Sequence, residues 1–191
     1  MVFEEKTISS EMIYKGRILN LRRDKVHVKD NQTSYREIIE HNGGVALAAI
    51  TPAGKMVLVR QYRKAAEKAV LEVPAGKIEI GEEHRVTAER ELKEETGYTA
   101  GKIEFITSFY SSIGYSTEVI YLYYATELIP GEPDFDDNEA LDILEFELKD
   151  LKKMVLSGEI EDAKTIAAIL LAESAMDYRQ CKSAVQKKIR A

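Results

Sequence analysis

One segment constrains this chain more than any other part of its sequence. Residues 76–98, which read GKIEIGEEHRVTAERELKEETGY, predict a loop followed by a short acidic helix. Within that helix Glu91, Glu94 and Glu95 stand at positions i, i+3 and i+4, so three carboxylates fall on one side. Like charges at this spacing repel one another.

The apolar residues of the helix indicate where its carboxylates lie. Ala88 and Leu92 are its best apolar anchors, and they fall on the same side as Glu91 and Glu95. We therefore expect at least two carboxylates close to the packed face. Burying such a pair is costly unless a cation compensates it, and carboxylates together with substrate phosphates suit Mg²⁺. The alternative is a solvated acidic helix whose own basic residues serve as counter-charges.

The ends of the helix follow from its glycines and acids. Gly76 lets the backbone turn closely, Gly81 is expected to start the helix, and Gly97 is expected to end it. Glu82 and Glu83 are then expected at the N-terminal end of the helix, where the positive end of the helix dipole favours acids.

Length and composition indicate one main domain. The chain has 191 residues, of which 45% are hydrophobic, and its net charge of −6 argues against a protein that coats nucleic acid. Cys181 is the only cysteine, so no intrachain disulfide can form. The N-terminal residues are charged, and no apolar run approaches the length of a membrane span. We therefore expect a cytoplasmic protein without membrane or nucleic-acid partners.

The remaining sequence predicts mainly strands. A β-hairpin is expected from the runs Met12–Val28 and Ser34–His41, with its turn at Lys29–Gln32. Nearly continuous apolar strands begin at Val45, Met56 and Ala69. Further strands are predicted at Lys102–Ser112, Thr117–Leu128 and Leu141–Leu148, followed by a helix from Asp150 to Gly158 and another capped by Asp162. This order predicts an α/β sandwich with a mixed sheet.

The spacing within residues 76–98 resembles the signature box of the Nudix hydrolases. The matching positions are Gly76, Glu82, Arg90-Glu91-Leu92, Glu94-Glu95 and Gly97. In the resembled family the box arginine forks onto a carboxylate and aligns the metal-binding glutamates, a role that Arg90 is expected to fill. The resemblance implies a Nudix-type α/β/α sandwich and hydrolysis of a nucleoside diphosphate linked to another moiety.

Sequences outside the box resemble the ADP-ribose pyrophosphatase branch of that family. They are Tyr14-Lys15-Gly16-Arg17-Ile18-Leu19, Tyr35-Arg36-Glu37, Gln61-Tyr62-Arg63 and Glu72-Val73-Pro74-Ala75-Gly76-Lys77. In that branch the N-terminal hairpin is exchanged between subunits. The resemblance therefore implies a homodimer, with residues 1–43 as the exchanged region and residues 44–191 as the Nudix domain. The implied reaction is metal-dependent hydrolysis of ADP-ribose to AMP and ribose 5-phosphate.

The resemblance also implies roles for single residues. Glu91, Glu95 and the main-chain carbonyl of Ala75 are expected to hold the divalent ions, Mg²⁺ or alternatively Mn²⁺. Glu94 is expected to assist them, and Arg90 to align them.

Other residues are implied to bind the substrate. Arg63 is expected to hold phosphate, while Arg36 and Glu37 contact the substrate from the second subunit. Ile18, or Leu19 beside it, is expected to pack on the adenine.

Two loops bear on the reaction and its substrate. Glu139 directly follows the acidic loop PGEPDFDDN and occupies the place of a family glutamate that binds metal or activates water. Asp137, within the loop, competes for the same role. Downstream of the box, Ile113 stands where the branch commonly has a proline that marks a preference for ADP-ribose. Another nucleoside diphosphate sugar, such as GDP-mannose, is therefore the alternative substrate. A non-catalytic Nudix domain that binds a nucleotide is the alternative of a different class.

Overall fold

The computed structural model describes residues 3–135 and 140–175, with the side chain of Asn31 excepted. The chain divides into two compact units. The first unit is made of Met1–Gly43 and Phe109–Ile120, and the second of Gly44–Ser108 and Tyr121–Ala191. None of the helices in the described ranges is long and apolar enough to cross a membrane.

The first unit contains an antiparallel sheet of three strands in the order β1-β2-β3. The strands are β1 (Thr7–Lys15), β2 (Asn20–His27) and β3 (Thr33–Glu40). The single strand predicted over Met12–Val28 is wrong, because the chain reverses at Gly16, whose N–H donates to the carbonyl of Leu19 at 3.0 Å. The predicted turn after it is confirmed as a 3₁₀ turn, Lys29–Asn31.

The second unit begins at Gly44 and carries most of the remaining strands. They are β4 (Gly44–Ala49), β5 (Lys55–Arg63), β6 (Lys68–Glu72), β7 (Ala75–Lys77) and β10 (Asp142–Glu147). Two longer strands, β8 (Thr99–Tyr110) and β9 (Val119–Ile129), complete the sheet order β7-β4-β9-β8, while β10, β5 and β6 form a separate sheet. Strand β4 is buried along its whole length, as its uninterrupted apolar sequence predicts.

In the part of the chain that the structure describes, three α-helices accompany these strands. They are α1 (His84–Thr96), α2 (Leu148–Ser157) and α3, which is helical from 163 to 175, the last described position. The expected start of α1 at Gly81 is wrong: Glu83 is the residue before the helix, so Glu82 lies in the preceding loop and not in the first turn. Gly97 ends α1 in the left-handed conformation, with φ 72°, as predicted.

The packed face of α1 is the one that its apolar residues predict. Ala88 and Leu92 are fully buried in the core beside β4, β8 and β9. Glu95 is buried with them, at 4% exposure, and Glu91 is half-buried. The expectation that two carboxylates lie close to the packed face is therefore confirmed. The α/β class with a mixed sheet is also confirmed.

Candidate active site

Strand β7 and helix α1 meet at a buried carboxylate. Oε2 of Glu95 accepts a hydrogen bond from the main-chain N–H of Ala75 at 2.9 Å. This bond satisfies one oxygen of a carboxylate that is almost removed from water, where an unsatisfied charge would be costly. It also fixes Ala75, whose carbonyl is the predicted main-chain ligand, at a defined position beside the helix.

A second carboxylate lies against the next residue of the same strand. A Cβ built on Gly76 would fall well inside 3.0 Å of all three atoms of the Glu91 carboxylate. Glycine is needed here because the carboxylate occupies the space of a side chain, and no left-handed turn is involved. The sequence-based reason given for Gly76, a close turn of the backbone, is therefore replaced by a close approach of Glu91.

Glu91 and Glu95 thus flank two consecutive residues, Ala75 and Gly76. Carboxylate and carbonyl oxygens are the donors that hard divalent cations prefer. Within residues 3–135 and 140–175, no group of three or more acidic, histidine or cysteine side chains is arranged to hold a metal ion. The predicted set of two carboxylates and one main-chain carbonyl fits Mg²⁺ nevertheless, because this ion keeps several waters and takes few protein ligands.

Arg90 joins the carboxylates of this region into one network. Its guanidinium donates to both oxygens of Glu82, at 3.0 and 3.1 Å. Nη1 donates to Glu91 at 2.7 Å and to Glu94 at 2.8 Å, and Nη2 reaches the carbonyl of Lys77 at 3.4 Å. Because a guanidinium has five N–H groups in a fixed plane, these contacts use its full donor capacity and restrict where each carboxylate can sit.

The partnership of Glu82 with Arg90 is the part of this network that the sequence did not predict. The hydrogen bonds from Arg90 hold the pKa of Glu82 at about 2, and those from Glu82 raise the pKa of Arg90. Glu82 lies just before α1 and pairs with Arg90 inside that helix, so it fixes the position of the arginine side chain. In the sequence, the fixed position of Glu82 within the box is the only indication of this role.

The depressed pKa of Glu82 predicts how its contribution to stability depends on pH. The folded-state pKa lies below the ordinary value of 4.5, so the contribution is fully present above pH 4.5 and is lost as the pH falls towards about 2. We expect the difference in free energy of unfolding between the wild type and Glu82→Gln to be constant above this window and to shrink within it. Urea titrations at several pH values measure it, and a pH-independent difference would contradict the assignment.

A second buried carboxylate lies at the end of β6. Glu72 is 2% exposed and receives two hydrogen bonds from Arg63, at 2.6 and 2.9 Å, and one from Lys164. Burial would raise the pKa of Glu72, but the hydrogen bonds and charges of Arg63 and Lys164 outweigh it and lower that pKa. The hydrogen bond to Glu72 is also the main cause of the raised pKa of Arg63. Arg63 is thus held by a buried carboxylate, and the charge of Glu95 also contributes to the raised pKa of Arg63.

The predicted substrate residues of the N-terminal region lie in the first unit. Arg36 donates to both oxygens of Glu5 and to Ser34, and Glu37 lies opposite Arg23 in the pairing of β3 with β2. Ile18 lies between β1 and β2, with 63% of its surface exposed. All three residues belong to the first unit, and the carboxylate network belongs to the second.

The two loops differ in how much the structure describes. Glu139 and its competitor Asp137 lie outside the described residues. The preceding part of the acidic loop is held on the end of α1, where Asp134 N–H donates to the carbonyl of Glu94 at 2.9 Å. Ile113 lies in the loop between β8 and β9 and is 77% exposed.

The chain is similar to several known proteins. A model of the NUDIX domain matches residues 40–169, and a model of the nucleoside diphosphate sugar hydrolase N-terminal domain matches residues 5–39. An ADP-ribose pyrophosphatase of Bacillus subtilis is 43% identical over 96% of both chains. A methanol dehydrogenase activator of Bacillus methanolicus is 43% identical over 98% of both chains. A crystal structure of an ADP compounds hydrolase superposes with a TM-score of 0.83 at 20% identity, covering 94% of this chain and 97% of that one.

Proposed function

Because the chain belongs to the Nudix family, we propose that it is a divalent-cation-dependent pyrophosphohydrolase that cleaves ADP-ribose into AMP and ribose 5-phosphate. The observation that carries this proposal is the pair of carboxylates, Glu91 and Glu95, held against Ala75 and Gly76. All the acids and the arginine of the box are retained, which favours an enzyme over a non-catalytic nucleotide-binding domain.

Different residues of this chain would bind the cation and orient its ligands. Glu91, Glu95 and the Ala75 carbonyl would hold Mg²⁺, or alternatively Mn²⁺, while Arg90 and Glu94 keep the set oriented. The bound cation would neutralise phosphate oxygens and make water easier to deprotonate.

The reaction itself transfers one substituted phosphoryl group of the pyrophosphate to water. The water oxygen bonds to one phosphorus, the bridging P–O bond breaks, and the bridging oxygen leaves with the other phosphate. Arg63 would bind phosphate oxygens, and Glu139, or Asp137 in its place, would take the proton of the attacking water. Hydrolysis of ADP-ribose in this way yields AMP and ribose 5-phosphate.

We propose a homodimer in which the N-terminal region of one subunit serves the site of the other through Arg36, Glu37 and Ile18. The exposure of β1 supports this proposal, since all nine of its residues are exposed and they include Ile8, Met12, Ile13 and Tyr14. Apolar side chains along an edge strand favour coverage by a second chain. Light scattering at micromolar concentration is expected to give twice the mass of the chain, and a monomer would contradict it.

The cytoplasmic location stays a prediction from the sequence.

We expect ADP-ribose to be the preferred substrate in a panel that also contains GDP-mannose, NADH and diadenosine polyphosphates. Hydrolysis should need Mg²⁺ and should stop on addition of a chelator, because the two carboxylates alone leave the phosphate charge uncompensated. Identification of products by mass should give AMP and ribose 5-phosphate. Preferred cleavage of GDP-mannose would keep the mechanism and change the substrate. Binding of the nucleotides without any turnover would favour the non-catalytic domain.

A second candidate function comes from one relative alone. The activator from Bacillus methanolicus is as similar in sequence as the pyrophosphatase from Bacillus subtilis. An assay with methanol dehydrogenase tests whether this chain stimulates that enzyme. Comparing the wild type with a hydrolysis-deficient variant would separate an effect of hydrolysis from an effect of binding.

A further inference from the structure

The segment from Glu72 to Gly76 is held at both of its ends. At one end, Ala75 and Gly76 contact the carboxylates of Glu95 and Glu91, which belong to α1. At the other end, Glu72 and the residue after it contact the beginning of α3, more than ninety positions further along the chain. The α1 contacts and the pairing of Glu72 with Lys164 belong to the site already described, whereas the contact of Val73 with Thr165 does not.

The α3 contacts form a buried chain of hydrogen bonds. The main-chain N–H of Val73 donates to Oγ1 of Thr165 at 2.9 Å, and Thr165 is fully buried. The Thr165 hydroxyl donates in turn to Oδ2 of Asp162 at 2.6 Å. The same carboxylate oxygen caps the helix by accepting the N–H of Thr165 at 3.0 Å. The hydroxyl is thus both acceptor and donor, and its orientation is fixed.

Lys164 adds a second connection between the same two elements. Its Nζ pairs with the carboxylate of Glu72 and with Oδ1 of Asp162, at 3.0 Å for the latter. Glu72 is also the residue that receives both hydrogen bonds of Arg63. The start of α3 therefore supports Arg63 as well as the backbone that leads to Ala75.

Val73 and Ala75 are close enough along the chain for the position of one to affect that of the other. Only Pro74 separates the two residues, and its ring fixes the φ angle. The Pro74 carbonyl accepts the N–H of Leu47 at 2.9 Å, so the segment is tied to β4 as well. Metal ligands must be held in accurate positions. Mutation of the residues that hold them commonly lowers metal affinity by about 10- to 100-fold.

We propose that Thr165, supported by Asp162 and Lys164, is a positioning residue for the catalytic segment 72–76, and so sets the affinity for the divalent ion and the rate of hydrolysis. It touches neither substrate nor cation. The proposal rests on the proposed function for its kinetic consequence, but the structural consequence can be measured without substrate.

The test uses three variants of the full chain. Thr165→Val keeps the shape of the side chain and removes the hydroxyl, leaving the Val73 N–H buried without its acceptor. Thr165→Ser retains the hydroxyl and is the rescue variant. Ile169→Val removes one methylene from a fully buried residue of the same helix and serves as the control for a general loss of packing.

We expect Thr165→Val to raise the Mg²⁺ concentration for half-maximal activity and to lower kcat, each by about tenfold. Titration calorimetry should give a matching loss of Mn²⁺ affinity, and amide exchange at Val73 and Ala75 should become faster. Thr165→Ser should restore all of these values towards the wild type, and Ile169→Val should leave them unchanged at a temperature where it is folded.

Unchanged Mn²⁺ affinity and unchanged exchange at Ala75 in folded Thr165→Val would overturn the positioning role. Failure of Thr165→Ser to restore them would do the same. If the wild type hydrolysed no nucleoside diphosphate sugar, the proposed function would fail, and the exchange and Mn²⁺ measurements would still decide the role of Thr165.

Discussion

Replacing Glu95 by glutamine is expected to lower kcat for ADP-ribose by about 100-fold or more while the protein keeps its fold. Glutamine has the same shape, and its side-chain carbonyl can still accept the Ala75 N–H that Glu95 accepts at 2.9 Å. The variant therefore loses the charge of one proposed ligand without losing the contact that holds β7. Circular dichroism and urea unfolding check the fold, and steady-state hydrolysis with mass identification of products checks the rate.

The matched control is Glu89→Gln, which removes a carboxylate from the same helix. Glu89 is exposed and pairs with Arg85 at 3.1 Å, a surface contact that contributes at most about 0.5 kcal/mol. We expect Glu89→Gln to retain the wild-type rate. Equal activity of the Glu95→Gln and Glu89→Gln proteins would remove Glu95 from the metal site.

Those parts of the site that depend on local periodicity could be predicted from the sequence. The spacing of Glu91 and Glu95 fixes their common side, and Ala88 and Leu92 fix which side is packed. The end of α1 was predictable for the same reason, because Gly97 adopts the left-handed conformation that favours glycine.

Those parts that depend on distant contacts could not be predicted. Glu82 is expected to interact with the helix dipole, but its side chain pairs with Arg90, eight positions further along and inside α1. Glu72 and Lys164 are separated by 92 positions, and no local pattern indicates that they pair. The extra strand of the first unit was missed because the turn at Gly16 lacks the Asn-Gly or Asp-Gly pair that marks a tight hairpin.

Gly76→Ala is expected to abolish most of the activity with only a small change in stability. The added methyl group would overlap the carboxylate of Glu91, which must move away from the strand. Because the overlapping atoms are the end of a flexible side chain, the fold can adjust, but a proposed metal ligand is displaced. We expect a fall in kcat of about 100-fold, similar to the loss of a ligand, and a change of about 1 kcal/mol or less in the free energy of unfolding.

A double-mutant cycle with Glu91→Ala separates this explanation from a general effect on the strand. Glu91→Ala alone should lower kcat and weaken Mn²⁺ binding as strongly as Gly76→Ala does, because both remove the same carboxylate from its place. Once Glu91 is alanine, nothing remains for the methyl group of Gly76→Ala to displace, so the second change should add little. If the two losses instead multiply, Gly76 acts through the backbone of β7, and the close approach of Glu91 is not the reason that glycine is needed.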